Sequence, residues 1–421
     1  MHPTGTESAL NATTHLNVLY LTHRVPFPPN RGDRIRSFHT LQYLHARSRV
    51  YLGCLTDEPI DDEVMKVLRA SCHELAVVRQ SRATRWARAG WSGLCGRTAT
   101  EGLFASAGLR QAVAGWSRSI RFDAVLAYCS SMVQHADAVA QENVPLIVDL
   151  VDVDSQKWLD YSALAREPKR TLYALEGRRL RNLEGRIARR AQSVTLVSEA
   201  EAELFRRVCP NDHTFAVPNG VDLDYFKPSD CSPNEFAEAC VFVGALDYRA
   251  NIDGLEWFCR EVWPRVRSQH SDMPLVIVGR NPTTAVRRLA EADGVRLIGE
   301  VPDVRPYLAQ AACVVAPLRI ARGIQNKVLE AFAMAKAVVA SPQALEGLTA
   351  SPGVEVMQAA SPSEWSDHVL RLRDNRSLRA ELGRNARRFV ETRHSWDACL
   401  EPLGEILNLP PAAVLCEAKA D

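Results

Sequence analysis

CVVAPLRIARGIQNKVLEAFAMAKAVVASPQALEG, Cys313 to Gly347, is the stretch whose reading decides the fold. An apolar run, Cys313 to Leu318, ends in a loop that carries Arg319, Arg322 and Gly323. The spacing after it predicts a helix from about Gln325 to Lys336, and a second apolar run, Ala337 to Ala340, closes the unit. Short apolar runs on either side of a helical pattern mark a βαβ unit with a parallel sheet. In such sheets ligands sit outside the carboxyl ends of the strands, where helix N-termini present unpaired N–H groups to an anion. Lys327 and Glu330 are three residues apart and share one face of the predicted helix. The pair can offer a cation to a phosphate and a carboxylate to sugar hydroxyls, and the same spacing suits an ordinary surface ion pair.

The pattern repeats outward in both directions. Leu16 to Thr22 is an apolar run of the buried parallel type, followed by a Pro-rich loop and a helix starting near Gly32. Gly32 and the arginines around it (Arg31, Arg34, Arg36) can receive an anion or a sugar, or form a solvated basic edge; one glycine falls short of a dinucleotide fingerprint. Further strand-like runs are Val50 to Leu55, Leu75 to Val78, Ala124 to Tyr128, Leu146 to Val151 and Val194 to Val197. After Glu238 the series restarts with Cys240 to Val243, Leu275 to Val278, Val295 to Ile298, Cys313 to Ala316, Ala337 to Ala340 and Val354 to Met357. Consecutive helices are expected from Pro362 to about Leu409. The fold expected is therefore α/β, with two doubly wound parallel-sheet domains and C-terminal helices. The expected boundaries are a loose tail at 1–15, an N-terminal domain at 16–225, a linker at 226–238, a second domain at 239–390, a helix at 391–409 that returns to the first domain, and a tail at 410–421.

Composition narrows the function classes. The chain has 421 residues, 46% hydrophobic and 24% charged, with a formal net charge of +1, which gives no general pull toward nucleic acid. Its 11 cysteines show no CxxC pair and no Cys/His cluster at metal spacing, the pattern of buried reduced thiols in a cytoplasmic protein. No apolar stretch reaches the ~20 residues that span a bilayer, and the first residues lack the basic and apolar regions of a signal peptide. A long helical pattern, Ala163 to Gln192, carries Arg178, Arg179, Arg181, Arg186, Arg189 and Arg190 beside its apolar stripe. Such a helix either lies on the cytoplasmic face of a membrane as a peripheral contact or packs on a sheet with its basic face in water.

Four segments together carry a family resemblance: VPNGVD (Val217 to Asp222), FVGALDYRANIDGLEWF (Phe242 to Phe258), VRLIGEVPDVRPYLAQA and KVLEAFAMAKAVVAS. They resemble the retaining glycosyltransferases of family 4, which have the two-domain GT-B fold. HRVPFPPNRGDRIRSFHTL, DLVDVDSQKW and DYRANIDGLEWF resemble, more narrowly, sugar transferases of exopolysaccharide and PEP-CTERM systems. The resemblance implies that Glu330 binds the donor's ribose and that Lys327, Gly323 and the backbone of Ile324, Gln325 and Asn326 face its diphosphate and sugar. It implies that Asn219 and Gly220 form the interdomain turn, that Gly32 approaches the diphosphate, and that Trp396 sits where the closing helix returns.

The departures from that pattern carry information too. Arg322 stands where the family has a sugar-contacting Glu, and Ala245 and Ala250 replace the usual Arg and Lys after the first strand of the second domain. Arg249 is the candidate for the missing phosphate cation, or else a surface arginine. Ser130 and Ser131 lie near the usual place of an N-domain His, and His135 further along is expected to be structural. Asp152-Val-Asp154 formally matches a DxD metal motif, but two α/β halves argue against that use. Asp152 is instead expected in the cleft near acceptor or sugar, as the candidate catalytic residue, with Asp154–Ser155 as a helix N-cap and Asp149 as a buried carboxylate.

The function implied is transfer of a sugar, with retention, from a nucleotide-diphosphate donor to a hydroxyl of a glycan or lipid-linked glycan in surface-polysaccharide synthesis. No metal or other cofactor is required on this reading, and nucleic acid is not a partner. The alternatives are a sugar-nucleotide epimerase of the same fold and a degenerate transferase that only binds.

Overall fold

The computed structural model describes residues 16–139, 141, 143–228, 236–320 and 324–412. It contains two sheets. The first is made of β1 (Asn17–Thr22), β2 (Arg49–Thr56), β3 (Glu74–Arg79), β4 (Ala124–Tyr128), β5 (Leu146–Val151), β6 (Ser193–Leu196) and β7 (Thr214–Ala216), in the order β3-β2-β1-β4-β5-β6-β7. The second is made of β8 (Ala239–Val243), β9 (Leu275–Val278), β10 (Val295–Gly299), β11 (Ala311–Ala316), β12 (Val338–Ala340) and β13 (Met357–Gln358), in the order β10-β9-β8-β11-β12-β13. By contacts the chain divides into two compact units, the second comprising Thr195–Arg207 and Thr214–Pro402.

Both sheets follow one logic. The first strand of each half lies in the middle, the next two are added on one side, and the chain then crosses over to add the rest on the other. Val18 of β1 thus pairs in parallel with Val50 of β2 and with Ala124 of β4. Cys240 of β8 likewise pairs with Leu275 of β9 and Cys313 of β11. Reversal of strand order opens a crevice at the carboxyl ends of the two central strands, β1/β4 in one sheet and β8/β11 in the other.

Strands buried on both faces are near-continuously apolar, and alternate residues serve opposite layers. In β8, Val241 and Val243 join a cluster with Val328, Leu329 and Phe332 of the Asn326–Ala333 helix. Cys240 and Phe242 join the opposite cluster with Phe258, Trp263 and Trp365. Each large side chain buried this way contributes roughly 1.5–3 kcal/mol relative to exposure.

Several expected elements differ in detail. The helix foreseen to Lys336 ends at Ala333, because Ala335 turns into the left-handed region (φ 54°) and Lys336 N–H bonds back to Ala331. The strand foreseen at Val354 to Met357 is only Met357–Gln358. Gly353 (φ 82°) makes a turn closed by its N–H on Val356, leaving Val354 exposed. The helical pattern of 163–192 is two helices, Asp154–Leu164 and Lys169–Arg190, divided at Pro168, whose ring restrains the residue before it. Asp154–Ser155 is not the N-cap; Val153 occupies that position. The free N–H and hydroxyl of Ser155 are met by Glu184, at 2.9 and 2.5 Å. The nine described cysteines are free thiols; Cys95 is exposed, Cys129 half-buried and the others buried.

Candidate functional site

The crevice at β8/β11 holds a compact polar cluster. Lys327, in the first turn of the Asn326–Ala333 helix, reaches back to the end of β8, where its ammonium donates to the side-chain carbonyl of Asn251. It also stands 4.8 Å from the centre of the Phe242 ring, a cation–π contact. Asn251, buried in the Arg249–Trp257 helix, spends its amide on the carbonyl of Ala245 at 2.8 Å and so presents its oxygen to the lysine. Gly244 makes this possible. A Cβ there would lie 2.9 Å from the Asn251 amide nitrogen, 3.2 Å from the lysine ammonium and 3.3 Å from Phe242.

Glu330 follows one turn along the same helix face, and both side chains are half-buried. Burial pushes the Lys327 ammonium down to about 7, against the pull of Glu330. Burial likewise pushes the Glu330 carboxyl up to about 7, against the pull of Lys327. Gln325 is the N-cap and its side chain does not cap the helix. The backbone N–H groups of Asn326 and Lys327 therefore have no partner among the described residues, as expected of a helix start. Two open N–H groups, a positive helix end and an adjacent ammonium form an anion site; a carboxylate one turn away accepts hydroxyls.

The turn carrying Asn219 joins the same cluster: its amide donates to the Asn326 side-chain oxygen at 3.5 Å. That turn is clamped by 394–399. Val221 N–H bonds to the His394 carbonyl at 2.7 Å, and a Cβ on Gly220 would lie 2.7 Å from the Trp396 backbone. Only glycine fits so close to another main chain. Trp396 begins the Trp396–Ile406 helix and is buried.

Arg249 is the first residue of its helix, exposed, and has no side-chain partner among the described residues. A cation at a helix N-terminus is disfavoured by the helix dipole, so Arg249 is not held there by local structure. Ile324 turns its side chain into the core. Arg322 and Gly323 lie outside the described residues. Asn251 and Phe242 were not anticipated as site residues. Asn251 stands next to Ala250, at the position weighed for a missing lysine, and its distance from Gly244 places it on the β8 crevice; only the strand order reveals that.

In the first unit, Gly32 starts the Gly32–His45 helix, and a Cβ there would meet no atom within 4 Å. Asp33 beside it lies 3.5 Å from His23 and 3.3 Å from Arg24. Burial opposes its charge, yet His23, Arg24 and Arg31 hold it well below the usual carboxylate range. Arg36 is fully buried in a two-pronged pair with Asp149, at 2.7 and 3.1 Å, so Asp149 is the buried carboxylate expected and Arg36 is no surface cation. Cys129 and Val151, ending the adjacent strands β4 and β5, both have left-handed backbones, at φ 73° and 70°. For a β-branched residue this is strained, and such strain collects at functional sites. Asp152 follows Val151 directly and is half-buried. His135 is buried against the Phe104 carbonyl at 2.9 Å, a packing role. Among the described residues no three His, Cys, Asp or Glu side chains converge as metal ligands.

Two family models match the chain in succession: a glycosyl transferase 4-like domain over residues 21–220 and glycosyl transferases group 1 over residues 237–375. A curated relative from Corynebacterium glutamicum, a GDP-mannose-dependent monoacylated alpha-(1-6)-phosphatidylinositol monomannoside mannosyltransferase, is 27% identical over 241 residues, 52% of this chain and 62% of that protein. A 44.6 kDa protein of the cps region of Klebsiella pneumoniae is 26% identical over 159 residues, 36% of this chain and 41% of that protein. The chain thus spans less than two thirds of either relative. Among solved structures, sucrose-phosphate synthase from Thermosynechococcus elongatus superposes with a TM-score of 0.68 at 16% identity, over 94% of this chain and 98% of that one. The Anabaena protein HepE, solved with UDP and glucose, does so with a TM-score of 0.65 at 15% identity, over 94% and 100%. At these identities the likeness is one of fold.

Proposed function

The chain belongs to the glycosyltransferases of the GT-B fold, and we propose that it moves a sugar from a nucleotide-diphosphate donor to a hydroxyl of a glycan or lipid-linked glycan, with retention at the anomeric carbon. The observation that carries this reading is the β8/β11 cluster. It places Lys327, held by Asn251 and Phe242, and the open N–H groups of Asn326 and Lys327 one helical turn from Glu330. The ammonium and N–H groups take the diphosphate, and Glu330 takes the ribose hydroxyls. HepE was solved with UDP and glucose, and the Corynebacterium relative is named for GDP-mannose, which supports a nucleotide sugar as the donor class.

In this reaction the acceptor oxygen bonds to the anomeric carbon on the face from which the diphosphate leaves. The departing phosphate oxygen receives the acceptor's proton. Rate comes from positioning and from fixed charge around the leaving group, so no carboxylate pair is needed. Lys327 and the helix N-terminus meet the diphosphate charge on this reading without a metal ion. Arg249 adds a second cation from the exposed end of its helix. On this reading Gly32, where a Cβ would meet no atom within 4 Å, is assigned to the sugar-diphosphate, and Asp152 to the acceptor. Synthesis of an exopolysaccharide or other surface glycan at the cytoplasmic side of a membrane is the role we assign, in line with the narrower sequence resemblance.

The test is a donor screen by thermal shift with UDP- and GDP-sugars, followed by turnover of the donor that stabilises the protein. A ligand bound only by the folded state raises its melting temperature. Glu330→Ala is expected to abolish that shift and the turnover. Unchanged donor turnover in this variant refutes the assignment. NMR of donor without acceptor that shows an inverted sugar establishes the epimerase instead, and calorimetry without binding to any sugar nucleotide refutes both.

A further inference from the structure

The Arg82–Leu94 helix of the first unit is amphipathic in the inverted sense. Ala83, Trp86, Ala87, Gly90, Trp91 and Leu94 fall within roughly 140° of its circumference, and all six are exposed, while the inward face carries Arg85, Arg88, Ala89 and Ser92. Trp86, Trp91 and Leu94 are 61%, 70% and 84% exposed. Of the eight tryptophans in the chain only these two are exposed, so the placement is not a habit of the sequence. A contiguous apolar face of this size on a surface marks an interaction site.

The charges around it are predominantly basic, with Asp57 paired to Arg85 and Glu101 to Arg97 and Arg186. From Arg82 to Thr100 the chain has four arginines and no acid. The neighbouring Lys169–Arg190 helix has eight basic residues and only two acidic ones, Glu176 and Glu184. Both acids are turned inward. Glu176 accepts from the N–H groups of Ala99 and Thr100 at 2.9 and 3.0 Å, and Glu184 accepts from Ser155. With its carboxylates used to cap other helices, this helix keeps an excess of positive charge even after Arg186 pairs with Glu101 and Arg190 with Asp137. Leu172, Leu175 and Arg179 form one stripe on it, with both leucines exposed, and Arg179 donates to the Arg97 carbonyl at 3.1 Å, joining the stripe to the loop that leaves the tryptophan helix.

We propose that this face docks the protein on a bilayer surface rich in anionic lipid. Trp86, Trp91 and Leu94 enter the headgroup boundary, and exposed arginines beside them, Arg82 on this helix and Arg178 and Arg189 on the Lys169–Arg190 helix, meet the lipid phosphates. Tryptophan is suited to that boundary because one edge of its ring is apolar and the other donates a hydrogen bond. Neither half suffices alone: exposed arginines are screened by salt, and three apolar side chains without charge do not distinguish one bilayer from another. The docking element is thus the tryptophan helix, with the arginine-rich helix as its electrostatic support. The site stands apart from the donor-binding reading and does not depend on it.

The test is co-sedimentation of the full chain with phosphatidylcholine vesicles, with and without phosphatidylglycerol, in low salt. The wild type is expected to bind the anionic vesicles and not the neutral ones. Brominated acyl chains are expected to quench part of its tryptophan fluorescence. The triple variant W86S/W91S/L94S, at exposed positions, is expected to keep the wild-type melting temperature, to bind at least about tenfold more weakly and to lose the quenching. Failure of the wild type to bind anionic vesicles overturns the proposal, and so does undiminished binding by the triple variant. A wild-type dimer in sedimentation velocity that the triple variant dissolves, with no vesicle binding, also overturns it and makes the face a contact between copies of this chain.

Discussion

Binding of a nucleotide-diphosphate sugar is expected to exchange protons with solvent, and the sign of that exchange is expected to reverse near neutrality. Burial brings Lys327 down and Glu330 up to about 7, so the free site at pH 8 holds mostly neutral lysine and ionised glutamate. The donor's diphosphate needs the lysine charged. If contact with it restores the ammonium to ~9 or above, about 0.8 proton is taken up per donor bound at pH 8, since a group at ~7 is only about a tenth protonated there. At pH 6 the free glutamate is mostly protonated, while the form that accepts ribose hydroxyls is the carboxylate, so binding releases a similar fraction. Affinity should therefore be greatest near pH 7 and fall on both sides, by up to about tenfold per pH unit. Both phosphates of a sugar nucleotide are diesters that stay ionised over this range, so the exchange belongs to the protein. The assay is calorimetry with UDP-glucose or GDP-mannose in two buffers of different ionisation enthalpy, at pH 6 and pH 8. Lys327→Gln should abolish the uptake at pH 8. Zero exchange at both pH values, or the wild-type uptake in Lys327→Gln, refutes the account of the pair.

Two further expectations concern the first unit. Arg36→Ala removes the buried guanidinium that faces the Asp149 carboxylate, and should cost about 3–5 kcal/mol in urea unfolding; Arg36→Met with Asp149→Leu should cost much less, and equal costs for the two variants contradict the pairing. Burial raises Glu184 to about 7 in the folded chain, so its contribution to stability is full below the unfolded value near ~4.5 and is lost as pH rises through about 7. Melting followed from pH 5 to pH 8 should show this decline, on the order of 3 kcal/mol, and Glu184→Gln should remove it; a variant with the wild-type pH profile rules out Glu184 as its source.

Much of this protein is legible in the amino-acid order because its strands are buried on both faces. LIVDLV, AVLAY and LVIV have no polar face to disguise them, and their bounds agree with the strands residue for residue. Lys327 and Glu330 were visible for a related reason: a helix places residues three apart on one face whatever surrounds it. Strand order, in contrast, is not a local property. That β8 lies between β9 and β11 is what sets Gly244, Asn251 and Phe242 against Lys327, across about eighty residues of chain. Burial is equally non-local. An arginine near a basic loop reads as a surface cation until Asp149 is found opposite Arg36, and that Glu176 and Glu184 of the arginine-rich helix each cap another helix is seen only in the packed chain. The inverted Arg82–Leu94 helix makes the point most directly. Periodicity shows that a helix has an apolar face, because that depends on 3.6 residues per turn; which way the face points is decided by what packs against it, and only the tertiary structure holds that.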